Sequence, residues 1–93
     1  MRPVHPGEVL QDELDHLGLS ASGFARALGV PANRVTAVLN GRRGITADTA
    51  LRLARYFGSG PEIWMNLQSN YDLAVALRDH GKAIEAAVSP RAA

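Results

Sequence analysis

Cysteine is absent from the 93 residues. That excludes a disulfide framework, a thiolate zinc site and a cysteine nucleophile, and it suits a reducing compartment. No apolar run approaches the ~20 residues of a membrane-spanning helix. The opening stretch, Met1 to Glu8, holds no apolar segment of the signal-peptide kind, so the chain is expected in the cytoplasm and not at a membrane. No stretch alternates polar and apolar residues long enough to read as a strand. There is no internal repeat and no low-complexity segment. No carboxylate pair, serine–histidine pairing or glycine-rich phosphate loop stands out, and His5, His16 and His80 lack metal-ligand spacing. The chain is therefore expected to have no catalytic residues and to carry no metal or cofactor.

What the sequence does contain is enough apolar material, 46% of its residues, for one small core. Its net charge of +1 hides an uneven distribution. Residues 1–25 set Arg2 against Glu8, Asp12, Glu13 and Asp15. Residues 26–61 set Arg26, Arg34, Arg42, Arg43, Arg52 and Arg55 against Asp48 alone. The remainder is nearly balanced. A basic centre between acidic flanks is the electrostatic footprint that a polyanion partner requires.

The punctuation is helical throughout. Pro6 and Glu8 suit a first turn, Val9, Leu10, Leu14 and Leu17 form an apolar stripe, and Gly18 stops that helix. Ser20 caps a short second helix holding Phe24, Ala25 and Leu28, which ends at Gly29. Pro31 opens a third, with Val35, Val38 and Leu39 inward, closed by Asn40-Gly41. Arg42-Arg43-Gly44 forms a loop. Thr46 caps a fourth helix bearing Ala47, Ala50, Leu51, Ala54 and Phe57, closed by Gly58. Pro61 and Glu62 open a fifth with Ile63, Trp64, Leu67, Tyr71, Ala74 and Leu77, which Gly81 is expected to break. Residues 1–81 then make one all-α domain of five helices, and 82–93 a short tail, partly disordered and with at most one further turn around Ile84 to Val88.

The segment Ala21 to Asn40 carries the functional signal. Two short helices meet at Leu28-Gly29-Val30, with the small Ala25 four residues before the glycine and Val35 six after it. Helices crossing at roughly 90–120° through a tight turn need a small residue where their backbones approach, and a glycine at the corner. Phe24, Leu28, Val30, Val35 and Val38 would fill the angle. Ala32, Asn33, Arg34, Thr36, Ala37 and Asn40 would face outward toward a DNA major groove. There asparagine pairs with adenine, arginine with guanine, and threonine or alanine contacts a thymine methyl. Arg42 and Arg43 would meet the phosphate backbone, joined by Ser20, Ser22 and the free amides that open the second helix.

Four blocks in order are similar to one known family. They are His5-Pro6-Gly7-Glu8-Val9-Leu10; Leu28-Gly29-Val30-Pro31-Ala32-Asn33-Arg34-Val35; Asn40 through Ala54; and Pro61-Glu62-Ile63-Trp64-Met65-Asn66-Leu67-Gln68. Over roughly residues 4 to 78 the chain resembles the HigA-type antitoxins, within the lambda-repressor-like helix-turn-helix regulators. It departs from their usual pattern at Ser22 and Gly23, where a longer polar side chain is common.

The resemblance implies a five-helix lambda-repressor-like bundle. It also implies a dimeric repressor of its own operon, one that binds and neutralises a RelE-like ribonuclease toxin. A dimer would set two recognition helices about 34–36 Å apart and so want a palindromic operator. Trp64, Tyr71, Leu73 and Leu77 on the fifth helix are the expected dimer contacts. Glu8, Asp12, Glu13 and Asp15 are the expected acidic surface for a basic toxin. Two other readings use the same fold: a stand-alone helix-turn-helix regulator, and a protein-interaction module without DNA binding. The basic centre argues against the latter.

Overall fold

In the computed structural model, which describes residues 2–92, five helices follow one another: α1 (Pro6–Leu17), α2 (Ala21–Leu28), α3 (Ala32–Leu39), α4 (Ala47–Phe57) and α5 (Glu62–Ala87). Among the described residues there is no strand, and no helix is long and apolar enough to cross a membrane.

The caps explain most of the boundaries. Ser20 Oγ accepts from the Gly23 amide at 3.1 Å, and Thr46 Oγ1 from the Thr49 amide at 3.3 Å, so each starts a helix by satisfying an otherwise orphaned donor. At the corner between α2 and α3, Gly29 has φ 71°, a left-handed conformation that a side chain would strain. Its amide and that of Val30 turn back onto Arg26 and Ala25 carbonyls, closing α2.

The first helix starts by a route that residue preferences do not suggest. His5 is its N-cap: the imidazole Nδ1 accepts from the Gly7 amide at 2.9 Å, and the Glu8 carboxylate accepts from the His5 amide at 3.2 Å. This is a capping box with histidine in the serine position. The α1 start also presses on the end of α3, since a Cβ on Gly7 would lie 2.0 Å from the Val38 carbonyl oxygen.

One core joins Leu10 and Leu14 of α1, Phe24, Ala25 and Leu28 of α2, Val35 and Val38 of α3, Ile45, then Ala50 and Leu53 of α4 and Trp64 of α5. Phe24, Val35 and Val38 are buried and Val30 half-buried, filling the angle between α2 and α3 as the spacing implies. Leu51 of α4 is 61% exposed and lies outside this core.

The fifth helix differs most from expectation. It runs through Gly81 without a break to Ala87, so the residues read as the start of a tail extend the helix. Helix hydrogen bonding tolerates an isolated glycine at a cost of roughly 1 kcal/mol, which a long helix absorbs. The molecule measures 52 × 23 × 22 Å because the second half of α5 projects beyond the bundle.

Candidate nucleic-acid interface

Successive residues of an α-helix advance about 100° around its axis. On α3 this puts Val35 and Val38 on the core side and Asn33, Asn40, Thr36 and Ala37 on the opposite side, with Ala32 at its margin. Ala32, Asn33, Thr36 and Asn40 are exposed and Ala37 half-buried. The Thr36 hydroxyl makes long contacts to the carbonyls of Ala32 and Asn33, at 3.4 and 3.3 Å.

Arg34 does not share that face. It lies on the flank toward α4, its side chain only 27% exposed, and its Nη1 donates to Asp48 Oδ2 at 2.8 Å. The expectation that Arg34 projects beside Asn33 is corrected: two residues short of Thr36, its side chain leaves the helix toward the α4 N-terminus, where the one acidic group of the basic centre waits. Asp48 also accepts from Arg52 Nε at 2.8 Å, and Arg52 Nη1 donates to the Leu28 carbonyl at 2.8 Å. Arg52 thereby caps the last turn of α2. The two arginines hold the Asp48 carboxyl below the usual carboxylate range, Arg52 through its hydrogen bond more than Arg34. Two of the six basic residues of the centre are thus committed to holding α2, α3 and α4 in register.

Arg42 and Arg43 are exposed, and among the described residues neither pairs with an acidic group. Their loop continues directly from α3: the amides of Arg42 and Arg43 both donate to the Ala37 carbonyl, at 2.9 and 3.1 Å. Two cationic side chains therefore stand at the end of the exposed face of α3. Ser20 and Ser22 are exposed at the start of α2. The Ser20 oxygen is occupied by the Gly23 amide, which leaves its O–H free to donate.

The expected dimer contacts divide. Trp64 is 5% exposed and stacks on Phe57 with ring centroids 6.0 Å apart. Tyr71 is half-buried and meets His5 edge-on at 4.8 Å. Both belong to the inner face of α5; Trp64 is buried there and not free to touch a second copy as expected, whereas Tyr71 keeps part of its surface exposed. Leu73 and Leu77 are 69% and 73% exposed on the opposite side, and Ile84 and Val88 continue the same stripe. Of the acidic group on α1, Glu8 is engaged by Arg2 at 2.8 Å and by the His5 amide, which together depress its carboxyl, Arg2 first. Asp15 accepts from Gln11 at 2.8 Å. Asp12 and Glu13 are exposed, and among the described residues neither is hydrogen-bonded or ion-paired through its side chain.

Three contributors had no expected role: His5, Arg52 and Gln68. Glu8 three residues after His5 is a capping-box spacing, and Asp48 four before Arg52 is an ion-pair spacing, so local signals existed for two. Gln68 Oε1 accepts from the Ile45 amide at 2.6 Å across 23 residues of chain, which no local pattern announces. Among the described residues no three metal-ligating side chains cluster.

A glycine-cornered helix pair, with a polar outer face on its second helix and free arginines at that helix's end, is the layout of a helix-turn-helix DNA-binding domain. Residues 10–64 match the family described as Helix-turn-helix, and the chain belongs to that family, in its lambda-repressor-like branch with the HigA-type antitoxins. It is similar to a structure described as an addiction module antidote protein of the HigA family from Coxiella burnetii. The identity is 58%, the TM-score 0.96, and coverage is 98% of this chain and 100% of that one. It is similar at 48% identity and a TM-score of 0.95 to the Pseudomonas aeruginosa antitoxin HigA solved with the higBA promoter, covering 98% of this chain and 100% of that one. Virulence-associated protein I of Dichelobacter nodosus is 50% identical over 80 residues, which is 85% of this chain and 74% of that protein. The family is one of non-enzymatic regulators and antitoxins.

Proposed function

We propose that this chain is a dimeric, sequence-specific DNA-binding repressor that also serves as the antitoxin of a toxin–antitoxin pair in the cytoplasm. The observation that carries the reading is the exposed face of α3 next to the unpaired Arg42 and Arg43. Asn33, Thr36, Ala37, Ala32 and Asn40 read base edges in the major groove. Arg42 and Arg43, with the Ser20 and Ser22 hydroxyls and the α2 amides, hold phosphates. Arg34 works mainly by orienting α3 against α4, and reaches a base only by leaving Asp48. The relative solved with its promoter supports the DNA-binding part.

Two copies pair through the outward stripe of α5, Leu73, Leu77, Ile84 and Val88. Such a pairing covers apolar surface that a lone copy exposes to water. Two-fold pairing sets two α3 helices on successive turns of one DNA face and calls for a palindromic operator. Asp12 and Glu13 on α1 suit the basic surface of a RelE-like ribonuclease toxin.

A gel-shift titration against the chain's own upstream DNA, with a scrambled duplex as competitor and salt as the variable, tests the DNA part. We expect a selective, salt-sensitive shift; equal affinity for both duplexes removes it. Co-expression with the neighbouring reading frame tests the antitoxin part. Capture of a short basic chain by the parent, weakened when Asp12 and Glu13 become Lys, supports it; growth and binding indifferent to the neighbour leave a stand-alone regulator.

A further inference from the structure

The loop between α3 and α4 is held at both ends by hydrogen bonds of different origin. At its start, the amides of Arg42 and Arg43 are tied to the Ala37 carbonyl of α3. At its end, the buried Ile45 donates its amide to Gln68 Oε1 of α5 at 2.6 Å, and Gln68 Nε2 donates in turn to Asp72 Oδ1 at 2.9 Å. The fit is tight: a Cβ on Gly44 would come within 2.9 Å of the Gln68 amide. A side chain at position 44 would therefore push the Gln68 amide off the Ile45 amide. One turn further along the same face of α5, Tyr71 meets His5, and the His5 ring lies 3.9 Å from where a Cβ on Gly41 would stand. The opposite face of α5 carries Leu73 and Leu77, five and nine residues from Gln68, or about 140° and 180° around the helix.

We propose that Gln68 is a positioning residue for DNA binding: it fixes the loop so that Arg42 and Arg43 meet phosphates at a set place relative to α3. It touches no DNA itself. The proposal rests on the reading of those two arginines as phosphate contacts. The physical reason is one of reach. A loop anchored at one end samples positions from which its arginines miss the phosphates, so on average fewer charges are neutralised, whereas a loop anchored at both ends keeps them in place. Because the anchor lies on the helix whose other face is proposed to pair two copies, the loops of a dimer are held in a fixed relation to its two-fold axis. Asp72 orients the Gln68 amide so that its oxygen, not its nitrogen, faces the Ile45 amide.

The test uses the full chain and a short duplex cut from its own upstream DNA, with the dissociation constant measured over a range of salt. Gln68→Ala is expected to weaken binding about fivefold per copy at physiological salt and to lower the salt slope by roughly one for each copy. The ratio of affinities for parent and scrambled duplexes should stay as it was, and so should the dimer mass in solution. The double variant Gln68→Glu with Asp72→Asn keeps net charge and restores an acceptor for Ile45 and a donor between the side chains, with their order reversed. It should recover the parental slope. Parental slope in Gln68→Ala, or failure of the double variant to recover it, overturns the proposal. If Gln68→Ala does not fold, the double variant alone decides on the same criterion. Arg43→Ala, run alongside, separates the two layers: a slope unchanged by Arg43→Ala removes the phosphate reading, whereas a slope lowered by it but not by Gln68→Ala removes only the role of Gln68.

Discussion

Arg34 Nη1 lies 2.8 Å from Asp48 Oδ2, and the same oxygen accepts from Arg52. One carboxylate therefore restrains an arginine of α3 and the arginine that caps α2. Replacing Asp48 with Asn removes the restraint and one negative charge from the basic centre. We expect binding to random-sequence DNA to rise about fivefold per copy, while the preference for the operator over random DNA falls. Competition binding measures both. A rise in operator preference would contradict the orienting role.

The exposed stripe of α5 and its buried inner face should respond differently to substitution. Leu77→Asp places a charge in the proposed seam without touching the core. It should leave helicity intact, convert dimer to monomer in analytical ultracentrifugation and reduce operator affinity. Trp64→Ala opens a cavity beneath Phe57 and should cost about 3–5 kcal/mol of stability, read by chemical denaturation. If Leu77→Asp stays dimeric, the seam lies elsewhere.

Acid should weaken the fold through two carboxylates. Glu8 and Asp48 are both held below their ordinary values, chiefly by hydrogen bonds from Arg2 and Arg52. A carboxylate with a lowered folded-state pKa adds stability that is present above its unfolded value, about 4, and is lost as pH falls through the folded value. Melting temperature should therefore be flat near neutrality from these two groups and decline below about pH 4. Asp48→Asn should make that acid decline shallower. An equal decline in parent and variant would contradict the assignment.

Arg43→Ala removes one cation from the loop. Since each phosphate neutralised contributes a slope of roughly 0.9 in log affinity against log salt, the slope should fall by about one per copy, for operator and random DNA alike. A loss confined to the operator would make Arg43 a base reader instead.

Most of the fold was legible in local patterns, because helix starts and stops are local chemistry. Ser20, Thr46, Gly18, Gly29 and Gly58 mark boundaries within a residue of where they fall. The apolar spacing of α2 and α3 likewise indicates which side of α3 stays polar. The misreadings concern tertiary competition. Gly81 resembles a stop signal, yet a glycine mid-helix carries only a propensity cost and the surrounding residues sustain the helix. Trp64 and Leu77 lie in one apolar list, but on opposite faces of a helix that packs with only its first half. Arg34 belongs by sequence to the outward set, and only the proximity of the α4 N-terminus draws it to Asp48. The contact from Gln68 to Ile45 joins distant parts of the chain, and nothing short of the fold brings them together.

The central claim is that the outer face of α3 reads bases, and Asn33 stands near the middle of that face. Binding of parent and Asn33→Ala to a panel of single-base variants of the upstream operator tests it most directly. Asn33→Ala should lose about 1–3 kcal/mol on the operator and lose discrimination at one base-pair position per half-site, with the salt slope unchanged. A variant that keeps the parental preference at every position would contradict the claim.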